Sequence, residues 1–377
     1  MKLEMFSAVD AASWDPICEA SSEAWFFHRH SWVEIESTLG IELNASFALR
    51  SGGALVGVAP LYCIVNGSER LVHSGFHRHT GLALVDGLPA GDVRAARDQY
   101  MKQVFKVASN FGAHRIQLNA HNLCPANRDP RRRAELPFWV LDYGFHLGLA
   151  FGPMGVQATP GLATCNADQL VDLSIAEDAL FALLEPACRR AVRKAQKAGL
   201  QLSEPRGERD AEVYYSIALD SAKRTGEFLP PLNYYAQIWR RFGPAGQCRL
   251  LFAEHDGVPQ AALMLFADRA AITFAAGVAL SNGLALRPND FIHWEAICLA
   301  RREGFTHYRL GPTFPEVPDS WPIARVSRFK SKFGGRAVPI IQGSYFLDTP
   351  RYLEPGIEML RRLCAGADPA TSVGDVG

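Results

Sequence analysis

Residues 250–267 read LLFAEHDGVPQAALMLFA, and residues 47–65 read FALRSGGALVGVAPLYCIV. Each stretch is a pair of apolar runs separated by a glycine turn, Asp256-Gly257 in the later stretch and Gly52-Gly53 in the earlier one. Apolar runs on both sides of such a dipeptide predict a β-hairpin. The chain therefore contains two predicted hairpins of the same plan.

The two hairpins are followed by the same order of further elements. Each leads to a helical stretch, then a glycine, then a short apolar strand. In chain order these are Asp92–Asn110, Gly112 and His114–Leu118, then Asp290–Glu303, Gly304 and His307–Leu310. Because a repeated order of elements is the sequence signature of duplication, we expect two similar α/β units.

Length and composition limit the class of protein. A chain of 377 residues favours two domains, which we place at residues 1–160 and 161–350, followed by a C-terminal helix and disordered tail at 351–377. The 39 basic and 39 acidic residues cancel, so no global field attracts DNA. The start, MKLEMFSAVDAASWD, lacks an apolar signal segment. The sequence contains no apolar run of about 18 residues, so we expect no membrane span. We expect a cytoplasmic protein.

Cysteine and histidine do not predict a metal site. The eight cysteines are scattered without a CxxC pair, which is typical of reduced, buried thiols. The histidine patches His28-Arg29-His30 and His73 with His77-Arg78-His79 have no acidic or cysteine partners at ligand spacing. We expect no bound metal and favour substrate contacts or buried hydrogen bonds for these histidines.

A basic helix is predicted at residues 188–199, CRRAVRKAQKAG. At helical spacing its five cations fall within an arc of about 140°, and small residues occupy the opposite side. The cations are Arg189, Arg190, Arg193, Lys194 and Lys197. Two interpretations stay open, a solvated surface helix and a docking site for the phosphates of a nucleotide cofactor or an RNA. We take Arg189, Arg193 and Lys197 as candidate cofactor-binding residues.

A second basic segment follows a predicted strand near the C-terminus. Residues 311–335 read GPTFPEVPDSWPIARVSRFKSKFGG, in which cations alternate with phenylalanines. The segment lies beyond the C-terminal end of a strand, where α/β proteins usually keep their sites. It could instead be a basic hairpin or short helix with two core phenylalanines. The candidate substrate-binding residues are Thr313, Arg328, Phe329 and Lys332, and Lys330 is the candidate catalytic residue.

The helix before this segment begins at Arg287-Pro288-Asn289-Asp290. The free N–H groups of a helix N-terminus favour anions, so Arg287, Asn289 and Asp290 are candidate cofactor-binding residues. Asn289 or Asp290 could equally be a simple helix cap.

These stretches together resemble the GNAT acyltransferase superfamily, and within it the Fem-type double-GNAT proteins and related tandem-GNAT acetyltransferases. The resemblance is stronger over residues 160–345 than over 15–120. The segment AWFFHRHSWVEIE (24–36) is similar to the family's entry segment. The other matching stretches are CRRAVRKAQKAGL (188–200), RLLFAEHDGVPQAALMLF (249–266), RPNDFIHWEAICLARREGFTHYRLGPT (287–313) and SRFKSKFGG (327–335).

The resemblance implies an α/β (α+β) fold of tandem GNAT-like domains, each a mixed central sheet flanked by helices. It implies amide formation, with acyl-CoA as donor in the acetyltransferases and aminoacyl-tRNA in the Fem-type enzymes, and no permanently bound cofactor. The family's Phe-Lys pair corresponds to Phe329 and Lys330, with the lysine near the reacting centre. One feature departs from the family: residues 277–290, GVALSNGLALRPND, lack the Gln/Arg-x-x-Gly-x-Gly/Ala phosphate loop.

Transfer of an acyl group to an amine needs a proton acceptor and positive charge near the oxyanion or leaving group. We assign the charge to Lys330, and Tyr308, Glu295 and His293 are candidate proton acceptors, although each could be purely structural. No GxSxG, P-loop or GxGxxG motif is present.

Three functions remain open from the sequence. The first is an N-acyltransferase, with acyl-CoA favoured as donor because the net charge is zero. The second is a Fem-type aminoacyl-tRNA-dependent transferase, which predicts a basic surface joining 189–197, 328–336 and Arg131-Arg132-Arg133. The third is a non-catalytic binding module, for which the missing phosphate loop is the best argument. The acceptor would be a small-molecule amine or a cell-envelope precursor.

Overall fold

A computed structural model describes residues 1–75, 80–128, 139–147, 167–204, 207, 209–314 and 322–353. The predicted contributions of His77, Arg78, His79 and Arg131–Arg133, and the predicted tail beyond residue 353, lie outside these residues. The chain forms two compact units. The first comprises residues 1–166, 314–325 and 339–377, and the second comprises 167–313 and 326–338.

The first unit contains ten strands in two sheets among the described residues. One sheet has the order β1-β3-β4-β7 and the other has the order β2-β5-β6-β8-β17-β9. The strands are β1 (Lys2–Met5), β2 (Leu43–Asn44), β3 (Phe47–Ser51), β4 (Ala54–Ala59), β5 (Tyr62–Asn66), β6 (Glu69–His73), β7 (Ala83–Leu84), β8 (Arg115–Ala120), β9 (His146–Leu147) and β17 (Ile341–Phe346). The helices are α1 (Ala11–Glu19), α2 (His30–Glu36), α3 (Ala90–Phe111) and α4 (Pro125–Arg128), with 3-10 turns at Phe6–Ala8, Phe26–His28 and Trp139–Tyr143.

The second unit contains one sheet of seven strands, in the order β11-β12-β13-β14-β15-β10-β16. The strands are β10 (Ala167–Asp172), β11 (Gln201–Ser203), β12 (Cys248–His255), β13 (Val258–Asp268), β14 (Ala271–Ala279), β15 (His307–Thr313) and β16 (Arg336–Pro339). The helices are α5 (Glu177–Leu183), α6 (Pro186–Lys197), α7 (Asp210–Thr225), α8 (Leu232–Phe242), α9 (Pro288–Arg302) and α10 (Pro322–Ser331), with a 3-10 helix at Ser281–Leu286. Only residues 326–331 of α10 belong to this unit.

Both predicted hairpins are present, as β3–β4 and β12–β13. Their turns have positive φ at Gly52, Gly53, Asp256 and Gly257, a conformation that glycine and aspartate tolerate better than most residues. The two predicted helix-glycine-strand segments are α3–Gly112–β8 and α9–Gly304–β15. The predicted tandem α/β plan is therefore confirmed.

The strand order shows how far the duplication extends. In the first unit, β6 runs parallel to β8, α3 lies between them in the chain, and β17 pairs antiparallel to β8. In the second unit, β14 runs parallel to β15, α9 lies between them in the chain, and β10 pairs antiparallel to β15. The equivalent third strand thus comes from the C-terminal side of the chain in one unit and from the N-terminal side in the other.

This strand arrangement also determines where the C-terminal segment belongs. The sequence-based bounds assigned residues up to 350 to the second domain, whereas Ile341–Phe346 form β17 in the first unit's sheet. All six residues of β17 pair with β8, from Ile341 opposite Ala120 to Phe346 opposite Arg115. Backbone pairing between residues that are far apart in sequence leaves no local signal, so the hydrophobic pattern could not reveal it.

Each unit has its own apolar core. In the first, α3 contributes Tyr100, Met101 and Val104 to a cluster with β8. In the second, α9 and the small-residue face of α6 pack together, the latter with Cys188, Val192 and Ala195. Six cysteines in the described part of the chain are buried thiols outside any disulfide: Cys18, Cys63, Cys124, Cys188, Cys248 and Cys298. None of the described helices has the length and apolar character needed to cross a bilayer.

Candidate functional site

Strands β14 and β15 of the second unit separate towards the C-terminal end of β15. The parallel ladder between β14 and β15 covers Ala271–Thr273 opposite His307–Arg309, yet β14 continues to Ala279 and β15 to Thr313. Residues 274–276 and 278 of β14 are partly exposed and Gly277 is exposed. We call the space beyond the last ladder pair the unit 2 wedge.

A buried ion pair lies at the base of the unit 2 wedge. Arg309 contacts Asp168 on the neighbouring strand β10, with 2.5 Å between Nη2 and Oδ1. The Nη1 atom of Arg309 also donates to Thr273 Oγ1 on β14 at 3.3 Å. The side chains of Arg309 and Asp168 are only 4% and 2% exposed, so their attraction is little screened by water. This pair links β10, β14 and β15 where the strands separate.

Lys330 of α10 approaches the same position. Its ammonium group donates to the carbonyl oxygen of Pro312 at 2.6 Å. Gly311 has φ of +89°, and a Cβ atom built on it would lie 3.3 Å from Lys330 Nζ and 4.0 Å from Arg309 Nη1. The absence of a side chain at Gly311 therefore leaves room for two cations to approach one point on β15. Lys330 thus brings a second cation next to the Arg309–Asp168 pair.

An aromatic cluster surrounds His293 of α9. The imidazole ring lies 4.7 Å from Phe274, 5.5 Å from Phe329 and 5.0 Å from Phe333, measured between ring centroids. Burial lowers the pKa of His293 to about 3, and the charges of Lys332 and Lys330 act in the same direction. His293 is therefore a neutral imidazole at physiological pH.

The hydroxyl group of Tyr308 contacts the imidazole of His293. Its side chain is fully buried, and its Oη lies 3.4 Å from His293 Nδ1. Burial raises the pKa of Tyr308 well above its ordinary value, so the residue is a neutral phenol. The structure thus brings two predicted proton carriers together, both in uncharged form.

A buried carboxylate, Asp290, lies in the first turn of α9. Asp290 is 5% exposed in its side chain, and its Oδ1 lies 2.7 Å from Lys332 Nζ. Its Oδ2 lies 3.3 Å from Arg287 Nη2. Lys332 Nζ also stands 4.0 Å above the ring of Phe329. Asp290 therefore pairs with both Arg287 and Lys332 in the first turn of α9.

The basic face of α6 is largely exposed to solvent. Arg190, Arg193, Lys194 and Lys197 are exposed, and Arg193 lies 5.2 Å above the ring of Phe181. Arg189 has a different environment, because its Nη1 donates to the carbonyl oxygens of Ala182 and Leu184 at 2.7 and 2.5 Å. Those two carbonyls belong to the end of α5, so Arg189 caps that helix.

The remaining predicted residues are more scattered. Glu295 is on α9 and accepts from Gln196 Nε2 of α6 at 3.3 Å, and burial raises its pKa. Thr313 is buried and donates to the carbonyl oxygen of Ala167 at 3.2 Å. Asn289 is partly exposed and Arg328 is exposed. The cluster around Lys330 contains Phe329, Lys332 and His293 from the predicted set, and Glu295 instead faces α6.

Sequence reasoning missed the Asp168–Arg309 pair, Thr273 and Gly311. A signal was present for Arg309, because a charged residue in the middle of the apolar strand HYRLG (307–311) requires a partner when the strand is buried. Its partner lies 141 positions earlier in the chain, and no local pattern identifies it.

Comparison with known proteins bears on this site. A family model described as an acetyltransferase (GNAT) domain matches residues 187–319, which include α9, β14 and β15. No curated protein matches the chain. The crystal structure of FemX is similar over 94% of this chain and 99% of that chain, with a TM-score of 0.69 and 14% identity.

Two further solved structures are similar at lower scores. L-PGS from Bacillus licheniformis has a TM-score of 0.53 and 11% identity, over 93% of this chain and 97% of that chain. The C-terminal domain of a putative lysylphosphatidylglycerol synthetase from Agrobacterium fabrum has a TM-score of 0.51 and 11% identity, over 87% and 94%. At these identities the likeness establishes a shared fold.

Proposed function

Since the chain is a GNAT-fold protein with a Fem-like architecture, we propose that it transfers an acyl group from an activated donor to an amine and forms an amide. The reacting centre is the unit 2 wedge, and Lys330 is the catalytic residue. The observation that carries the proposal is the convergence of Lys330 and Arg309 on Gly311 at the end of β15.

The charge at this point suits acyl transfer. Attack of an amine on an acyl carbon produces a tetrahedral oxyanion, and a fixed cation in a water-poor site stabilises it. Lys330 is 8% exposed, and the Pro312 carbonyl fixes its ammonium group. The ammonium group lies beside the Arg309–Asp168 pair.

The attacking amine must lose a proton. His293 is neutral and can accept a hydrogen bond, and Tyr308 lies within 3.4 Å of it. These two residues are therefore better placed than Glu295 to carry the proton, because Glu295 faces Gln196 on α6. Because the pKa of His293 is about 3, we propose that His293 and Tyr308 relay the proton of the amine to water and do not hold it.

The edge of β14 supports acyl-CoA as the donor. Beyond Thr273 the ladder to β15 ends, and residues 274–278 are exposed or partly exposed, as a ligand that adds alongside a strand requires. The pantetheine arm of CoA is an extended chain with two amides. Its phosphates would have to bind away from the α9 N-terminus, where Asp290 pairs with Arg287 and Lys332.

The basic face of α6 favours a second candidate donor, aminoacyl-tRNA. Four exposed cations on one helix, Arg190, Arg193, Lys194 and Lys197, provide a surface for several phosphates. This donor explains why the chain has no phosphate loop for a single pyrophosphate. In either case the acceptor is an amine of a small molecule or of a cell-envelope precursor.

The role of Lys330 is tested by Lys330→Met, which removes the charge and keeps the length. With acetyl-CoA and a panel of amines, we expect CoA release to fall by about 10²- to 10³-fold, the usual effect of removing one oxyanion-stabilising donor. Lys102→Met makes the same chemical change at an exposed residue of α3 and should leave the rate unchanged. Full activity in Lys330→Met would refute the proposed site.

The donor is tested by direct binding of acetyl-CoA and of an aminoacylated tRNA pool at several salt concentrations. A double charge reversal, Arg193→Glu with Lys197→Glu, is compared with Lys223→Glu and Arg240→Glu at other exposed cations of the same unit. Acetyl-CoA binding that survives both double variants supports acyl-CoA. Salt-dependent tRNA binding that only the α6 variant weakens supports aminoacyl-tRNA instead.

A further inference from the structure

The histidine patch at residues 28–30 has no part in the proposed reacting centre, but its last residue lines a cavity of the first unit. The cavity has a volume of about 420 Å³ and is bordered by the 3-10 turn Phe6–Ala8, the start of α1, His30 and Glu34 of α2, and Arg50 of β3. Small-molecule sites usually measure about 300–1,000 Å³. All of these residues belong to the first unit, so the cavity is a feature of that unit alone.

The imidazole ring of His30 is held in one orientation. It stacks on Phe6 with 4.4 Å between the ring centroids and lies edge-on to Trp14 at 6.3 Å. Its Nε2 lies 3.1 Å from the carbonyl oxygen of Val9. Because a carbonyl oxygen only accepts hydrogen bonds, Nε2 carries the proton, and Nδ1 of the neutral ring is an acceptor.

A carboxylate lies beside this acceptor. Glu34 Oε1 is 3.8 Å from His30 Nδ1, which is too long for a direct hydrogen bond. A donor nitrogen about 2.8 Å from both atoms, the length of a charge-assisted hydrogen bond, can lie beside the line that joins them. The side chain of Glu34 is 44% exposed and that of His30 is 12% exposed, so a ligand can reach the pair from solvent while the ring stays fixed.

The charges around the cavity favour a cation. Two carboxylates, Asp10 and Glu34, belong to its lining. Asp10 accepts from the backbone N–H of Ser13 at 2.9 Å as the cap of α1, which holds its carboxylate in place. Arg50 is the cation in the lining, and its Nε donates to Glu4 Oε2 at 2.5 Å, so its charge is paired within the chain.

We propose that this cavity binds a small primary amine as its ammonium ion, which donates to His30 Nδ1 and to Glu34 while Asp10 adds favourable charge. An ammonium group has three donors and no acceptor, which matches a lining of one imidazole acceptor and two carboxylates. The proposal does not depend on the proposed function, since the chain would hold this amine at a place other than the reacting centre.

The first experiment is a calorimetric titration of the full chain at low ionic strength, where the attraction of exposed charges is least screened. The probes are butylamine, butyltrimethylammonium, which keeps the charge and lacks the donors, and butanol, which lacks the charge. We expect butylamine to bind and the other two to bind at least about tenfold more weakly, the effect of losing one charged hydrogen bond. Equal affinity for butylamine and butyltrimethylammonium would overturn the proposal.

The same titration with variants locates the bound amine. Glu34→Gln removes a charge and keeps the size of the side chain, and we expect it to weaken butylamine binding by at least about tenfold. Asp10→Asn keeps a residue that caps helices well and should weaken binding less. Glu42→Gln makes the same change as Glu34→Gln at an exposed position of the first unit outside the cavity and should leave the affinity unchanged. Unchanged affinity in Glu34→Gln would refute the proposed site.

Hydrogen–deuterium exchange separates this cavity from the reacting centre, because an acyltransferase also binds an amine where it acylates it. We expect butylamine to slow exchange at residues 7–13 and 29–34 of the wild type and not of Glu34→Gln. Slowed exchange only at residues 274–278, in the unit 2 wedge, would mean that the amine binds at the reacting centre alone and would contradict the proposal while supporting the proposed function.

Discussion

At the scale of single residues, the Asp168–Arg309 pair makes the base of the unit 2 wedge dependent on charge. Both side chains are almost completely buried, and removing one partner of such a pair leaves the other charge in a poor solvent. We expect Asp168→Asn to lower the free energy of unfolding by about 3–5 kcal/mol, measured as a shift in the urea midpoint.

The control for this prediction is an exposed ion pair in the same unit. Arg302 lies 3.8 Å from Glu177, with side chains 52% and 44% exposed, and exposed pairs contribute only about 0–1 kcal/mol. Arg302→Gln should therefore shift the midpoint little. If both variants lose the same free energy of unfolding, burial of the Asp168–Arg309 pair does not determine how much the pair stabilises the fold.

His293 predicts how stability depends on pH. Its pKa is about 3 in the folded protein and about 6.5 in an unfolded chain, so between these values the unfolded state binds more protons. The stabilisation is fully present above about pH 6.5 and is lost as the pH falls towards 3, by up to about 1.4 kcal/mol per pH unit.

The measurement compares urea midpoints of the wild type and His293→Leu at about pH 7.5 and about pH 5. The leucine variant has no imidazole to protonate in the unfolded state, so its midpoint should fall less between the two pH values. An equal fall in both proteins would mean that His293 can be protonated in the folded state.

At the scale of elements, the Gly334-Gly335 pair determines how the segment after α10 meets β10. A Cβ atom on Gly335 would lie 2.2 Å from the Leu170 carbonyl oxygen, and φ is +81°. Gly304 has a similar φ of +85°, but nothing lies within 4 Å of its Cβ position. These two glycines separate the effect of steric contact from that of backbone conformation.

We expect Gly304→Ala to destabilise the protein by about 1–2 kcal/mol, the ordinary effect of placing an L-residue in left-handed backbone. Gly335→Ala should lose at least about 2 kcal/mol more, because the backbone of β10 must move. Thermal unfolding of both variants tests this. Similar losses of stability in both variants would show that the backbone of β10 can move at Leu170 at little cost in free energy.

The hairpins show how much the sequence could predict. The two hairpins and the glycines that end α3 and α9 were readable in the sequence, because glycine and alternating apolar residues act locally. The capping of α5 by Arg189 was missed, since charge periodicity cannot distinguish a cation that faces water from one that folds back on a helix end.

At the scale of the whole molecule, the duplication was predictable and its completion was not. Two hairpin-helix-strand repeats are visible in the sequence, but the strand beside β8 and the strand beside β15 come from opposite sides of their repeats. Pairings such as Gln342 with Asn119 join residues more than 200 positions apart. These pairings form because each central strand needs a second neighbouring strand. A sequence pattern does not show which segment of the chain provides it.

The last prediction follows from this topology. A chain that ends at Ile340 lacks β17, which lies between β8 and β9 and pairs with both. It also lacks Tyr345, whose ring lies 5.1 Å from Phe105 and 5.4 Å from Phe145. Without β17, β8 keeps only its ladder to β6. Amides that lose their partner strand exchange rapidly, so protection of the amides of Arg115–Ala120 that face β17 should fall by orders of magnitude while β12 and β13 of the second unit stay protected. A chain that ends at Leu353 retains β17 and is the control. If β8 remains protected without β17, the first unit does not need its C-terminal strand, and completion of each sheet by a distant strand would not be what holds the duplicated fold together.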